Sequence, residues 1–112
     1  MGAAPTTINA GTSSSPVNNT YTLSGGSTTV AGGYGNIWIT GTGSVTVSGS
    51  FTGNLQVCGP SIASVSSSTT NTGSNINVVN GNVGSVSGFT GNIAIKNGQL
   101  TGSVTTSTCN VA

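Results

Sequence analysis

Asn92-Ile93-Ala94-Ile95, with its earlier counterparts Asn36-Ile37-Trp38-Ile39, Asn54-Leu55-Gln56-Val57 and Asn75-Ile76-Asn77-Val78, decides how this chain folds. Each copy is an asparagine, an aliphatic residue, a variable residue and a second aliphatic. The asparagines stand at 36, 54, 75 and 92, so the spacings are 18, 21 and 17, and Asn110-Val111 opens a further copy 18 residues on. A period of this size in a chain of 112 residues marks an array of similar coils. Each coil is too small to bury its own apolar side and must stack on the next.

Outward from that stretch, the corners repeat as well. Tyr34-Gly35 leads into Asn36, Phe51-Thr52-Gly53 into Asn54, and Phe89-Thr90-Gly91 into Asn92. The coil from Asn36 to Gly53 holds two alternating segments, Ile37-Trp38-Ile39 and Val45-Thr46-Val47, joined through Gly41-Thr42-Gly43. Alternation of β-branched with polar residues, bounded by glycine, is the pattern of a half-buried strand. The next coil, from Asn54, is broken by Gly59-Pro60 and carries a polar run, Ser66 to Thr72, that reads as a bulged-out loop. Later coils return to the rule, with Val83 and Val86, then Leu100 and Val104, in the second segment. Residues 1–17, with Pro5, Pro16 and Thr12-Ser13-Ser14-Ser15, carry no period and read as a flexible arm or an irregular first coil. Residues 18–112 form the repeat domain.

Nothing has helical spacing, and good helix formers are scarce. Parallel pairing of equivalent segments, one coil above another at about 4.8 Å, explains the period. Ile37, Leu55, Ile76 and Ile93 then form one inward column, and Ile39, Val57, Val78 and Ile95 a second. Trp38, Gln56, Asn77 and Ala94 face outward between them. Asn36, Asn54, Asn75, Asn92 and Asn110 stack at a corner. There asparagine tolerates unusual backbone angles, and each amide can donate to the one below, giving a structural ladder. From about Asn19 to Val111 the chain resembles parallel β-helix, or β-solenoid, repeat proteins at the level of architecture. The expected fold is all-β, a short parallel β-solenoid with coils of about 18 residues.

Composition restricts function. Lys96 is the sole charged side chain, for a formal net charge of +1, and the chain has no Asp, Glu, Arg or His. Without a basic patch there is nothing to neutralise phosphates, so nucleic acid is not an expected partner. No run approaches the roughly 20 apolar residues of a membrane span. Met1-Gly2-Ala3-Ala4-Pro5 lacks the basic and apolar regions of a secretory signal. General acid–base and nucleophilic chemistry has only Lys96, Tyr21, Tyr34, Cys58 and Cys109 to draw on, with no carboxylate pair or histidine. An enzyme is not expected, and no metal, cofactor or small-molecule ligand is expected either. Cys58 and Cys109 occupy different coil positions. An internal disulfide formed if the chain end folds back, a bridge between subunits and buried free thiols all remain open. Asn18-Asn19-Thr20 has the form of a glycosylation sequon, which a chain this rich in Asn and Thr also produces by chance.

The leading expectation is a structural, self-assembling protein, extracellular or at the cell surface, that builds a filament or coat from copies of itself. The near-absence of charge removes the repulsion that keeps small domains apart. The repeat also runs into Asn110-Val111-Ala112 without a visible cap, and an open coil end invites a neighbour. The alternative is an ice-binding solenoid that uses outward Thr and Ser rows. Thr40, Thr42, Thr46 and Thr52 align by count with Cys58, Pro60, Ser64 and a loop position, then with Val79, Gly81, Val86 and Thr90. No strict Thr ladder persists on that alignment. A third reading is a carbohydrate- or surface-adhesion module in which Trp38 is a contact residue.

Overall fold

The computed structural model describes residues 2–66 and 74–105 in full and the backbone of residues 110–111. Within these, the strands are β1 (Gly2–Ala3), β2 (Thr7–Asn9), β3 (Val17–Ala31), β4 (Gly33–Ser48) and β5 (Phe51–Cys58). They continue with β6 (Ser61–Ser66), β7 (Asn75–Val79), β8 (Val83–Ser87), β9 (Asn92–Lys96) and β10 (Asn110–Val111). Every strand pair is parallel. The chain is a β-solenoid of about five turns.

Each coil supplies two walls. The first follows the order β1-β3-β4-β5-β7-β9-β10, and the second joins β2, the later parts of β3 and β4, β6 and β8. Strands β3 and β4 run through both walls, so the whole is hydrogen-bonded as one sheet folded on itself. The molecule measures 35 × 34 × 18 Å, a slab with two broad sides.

The core lies between the walls and follows from alternation. Ile37, Leu55, Ile76 and Ile93 are buried and paired coil to coil, as are Ile39, Val57 and Val78, with Ile95 half-buried at the top of that column. From the opposite wall come Ile8, Val30, Val47, Val65 and Val86 in one column, and Thr28, Val45, Ile62 and Val83 in another. Phe51 and Phe89 are fully buried at the corner where the chain climbs to the next coil. A core this thin has no second layer to share a void, so each side chain is held by few neighbours.

Glycine permits the corners at Gly53. There φ is +123°, and a Cβ would run into the carbonyl oxygen of Gly35 in the coil below. Only a residue without a side chain lets the backbones stack so closely at that angle.

Residues 1–17, left by the sequence between a flexible arm and an irregular first coil, contribute paired strands. Gly2 and Ala3 pair with Tyr21 and Thr22, and Thr7 to Asn9 with Thr29 to Ala31. The buried Thr28 hydroxyl donates to the Pro5 carbonyl at 2.6 Å, which ties this segment to the core column. Ile8, 1% exposed, extends that wall's core by one layer.

Candidate functional site

The two broad sides of the slab carry different chemistry. On the first wall, Asn36 Nδ2 donates to Asn18 Oδ1 at 2.8 Å, Asn54 to Asn36 at 2.8 Å, Asn75 to Asn54 at 3.2 Å and Asn92 to Asn75 at 3.1 Å. The ladder therefore starts one coil earlier than the repeat pattern indicated. Asn18 lacks the signature of the other copies because Asn19 stands where later coils carry an aliphatic residue. The backbone of Asn110 pairs with Asn92 and continues the register, while its side chain lies outside the described residues.

A second ladder stands at another corner. Asn80 and Asn97 both have positive φ, 58° and 57°, and Asn97 Nδ2 donates to Asn80 Oδ1 at 3.1 Å. The signal available for it was the dipeptide Asn-Gly at 80–81 and again at 97–98, a turn signature at the coil period.

Trp38 projects from the first wall at 46% exposure, at a position whose neighbours in register are Thr20 and Gln56. Cys58 is a half-buried free thiol, and Gln56 Nε2 approaches its sulfur at 3.7 Å. No disulfide is present among the described residues, and Cys109, the partner weighed for Cys58, lies outside them.

The second wall presents hydroxyls. Its core residues alternate with an outward row in which Thr7, Thr29, Thr46, Ser64 and Ser85 stand in register over successive coils. Ser27, Ser44 and Ser61 form a flanking row on one side, and Ser48, Ser66 and Ser87 on the other. Neighbours within a row are separated by the strand spacing of about 4.8 Å, and rows by two residues of strand, about 6.6 Å. All these side chains are half-buried or exposed. Ser61 accepts a hydrogen bond from the Asn82 amide at 3.1 Å. The hydroxyls of Ser44, Thr46, Ser48, Ser64, Ser85 and Ser87 make no hydrogen bond to other described residues.

This register corrects the alignment made by counting. Ser85, and not Val86, lies over Ser64, and Val86 points into the core at 1% exposure. Ser64 and Ser85 lie 10 residues after Asn54 and Asn75, as Thr46 does after Asn36, so Val86 is one place beyond the row. The segment also carries an inserted residue. Ile62 pairs with Val45, but Ser64 pairs with Thr46, so Ala63 bulges out of β6. Gly84 occupies the same place in β8 and keeps the two bulges stacked. The bulge offsets a corner one residue shorter, since the step from Thr40 to Ser44 corresponds to that from Cys58 to Ser61, and so Thr46 and Ser64 stay in register.

Compared with known protein families, curated proteins and solved structures, the chain matches none.

Proposed function

We propose that this chain is a non-catalytic binding solenoid whose hydroxyl wall adsorbs to ice. The observation that carries the reading is the registered row Thr29, Thr46, Ser64 and Ser85, with serine rows on either side. A hydroxyl both donates and accepts a hydrogen bond, as every water in ice does. Short Ser and Thr side chains on a fixed sheet lose little conformational freedom on binding, and threonine is further stiffened at χ1. Weak contacts repeated on a rigid grid add up because all engage at once. A wall without charge also imposes no competing orientation on the water against it.

A second reading rests on the net charge of +1. Copies of this chain meet little electrostatic repulsion, which supports assembly into a filament or coat, extracellular or at the cell surface. The test separates the two. Purified protein is grown into a slowly freezing ice hemisphere beside its Thr46→Lys and Ser64→Lys variants, with Gln56→Lys on the other wall as control. Enrichment of wild type and control in the ice, with both wall variants left in the liquid, is the expected result. Equal exclusion of all four would overturn ice adsorption. Concentration-dependent oligomers by light scattering, dissolved by the same wall variants, would assign the hydroxyl wall to self-assembly.

A further inference from the structure

We infer that the groove beside Trp38, on the wall opposite the hydroxyl rows, is a binding site for a neutral glycan. The groove has a volume of about 530 Å³ and is lined by Trp38, Tyr21, Thr20 and the ladder amides of Asn18, Asn36 and Asn54. That size lies within the range of small-ligand sites, where an apolar surface is combined with a few polar groups that fix orientation.

Packing does not account for Trp38. The same outward position in adjoining coils holds Thr20, Gln56, Asn77 and Ala94. A wall that accepts small and polar residues there has no structural need for an indole, and Trp38 remains 46% exposed. Tryptophan offers a large rigid face, and recruiting that face to a ligand costs little side-chain entropy. The chemistry that suits it beside amides is a pyranose ring. The C–H face of the sugar lies on the indole, and its hydroxyls turn to the polar row.

The ladder supplies that row in a fixed orientation. Each amide nitrogen carries two hydrogens. In Asn36 and Asn54 one is engaged by the amide below, at 2.8 Å in both cases. The second hydrogen projects away from that bond and is available to a sugar hydroxyl. Because the ladder already holds these side chains in place, binding pays no further rotamer cost for them. Asn36 and Trp38 are two residues apart on one face of β4, about 6.6 Å, so a single sugar ring can touch both.

Charge selects the ligand class. Lys96 lies in a separate depression of the same wall, with Asn77 and Ala94, and no charged side chain lines the groove. A uronic acid or a sulfated sugar would give up hydration there without gaining a counter-charge, so the site favours uncharged sugars.

Trp38 is the only tryptophan in the chain, so its fluorescence reports on this groove without a label. The test is a fluorescence titration with cellohexaose, mannohexaose, chitohexaose and, as the charged comparison, a hexamer of galacturonic acid. A saturable change at millimolar concentration with at least one neutral hexamer is expected, with none for the galacturonate. Calorimetric titration of Trp38→Ala should then show that binding lost, while circular dichroism and ice partitioning stay unchanged. Trp38→Phe should retain part of it. Lack of saturation with every neutral hexamer would overturn the inference, as would full binding by Trp38→Ala or preference for the charged sugar. Ice adsorption rests on the other wall, so either result here leaves that reading to its own experiment.

Discussion

Asn54 sits in the middle of the first-wall ladder, accepting from Asn75 and donating to Asn36. In Asn54→Ala both bonds go, in an exposed row where water replaces part of what is lost. Urea unfolding should show a loss of about 1–2 kcal/mol. Asn18→Ala removes one ladder bond at the end of the row and a long bond from its amide to the Pro16 carbonyl, and should cost about 1 kcal/mol. Gly53→Ala makes a different point. Holding alanine at φ +123° costs about 1–3 kcal/mol of backbone strain, and its methyl meets the Gly35 carbonyl as well. The stability loss should exceed that of Asn54→Ala, and a smaller loss would show that the corner relaxes. At this scale the sequence was readable where a residue recurred in the same setting. Asn36, Asn54, Asn75 and Asn92 were found because aliphatic residues follow each of them. Asn18 was not, because Asn19 breaks that setting, and the ladder bond that identifies it comes from a residue 18 positions away.

Among the elements, β6 and β8 carry stacked bulges at Ala63 and Gly84. Deleting Ala63 leaves Ile62, Ser64 and Val65 alternating in, out and in, in plain register with Val45, Thr46 and Val47 of β4. Only the stacking of that bulge on Gly84 is lost, so thermal unfolding of the deletion variant should show a small drop, about 1 kcal/mol. Ala63→Ser, at an exposed position, should be close to neutral. At the corner before β9, Phe89 is fully buried, and Phe89→Ala should cost about 3–5 kcal/mol by the same measurement. The strands of the first wall were legible because their alternation is unbroken from the asparagine onward. Those of the second wall were legible in kind only. One residue separates Val45 from Val47, but two separate Ile62 from Val65 and Val83 from Val86, so the valines alone do not align these strands. Counted from Asn36, Asn54 and Asn75, the residues Thr46, Ser64 and Ser85 each stand 10 positions on, and that count gives the hydroxyl row.

The whole molecule is a slab of 35 × 34 × 18 Å whose sequence contains no Asp, Glu or His. Stability depends on pH only where folded and unfolded chains bind different numbers of protons. No side chain of this chain belongs to a type that ordinarily titrates between about pH 4 and 7. The unfolding free energy should accordingly be flat over that interval, to within about 0.5 kcal/mol. Urea titrations at pH 4 and pH 7 check this, and a slope would reveal a contribution from the chain termini. Ice adsorption through hydroxyls should likewise be unaffected by moderate salt, because there is no ion pair to screen.

The sequence by itself determined that the chain forms stacked parallel coils of about 18 residues, which aliphatic columns face inward, and that asparagines stack at a corner. These follow from local alternation and from a period, both of which are written along the chain. Tertiary structure decided that residues 2–9 supply strands paired to the next coil, and that Asn18 heads the ladder. It also decided that Thr29 joins the row of Thr46, Ser64 and Ser85, across the register shift in β3. Each of these is a matter of register between coils, which the paired backbones set and local alternation does not. A bulge at Ala63 and a loop elsewhere in the same coil lengthen the chain equally, and only the paired backbones distinguish them.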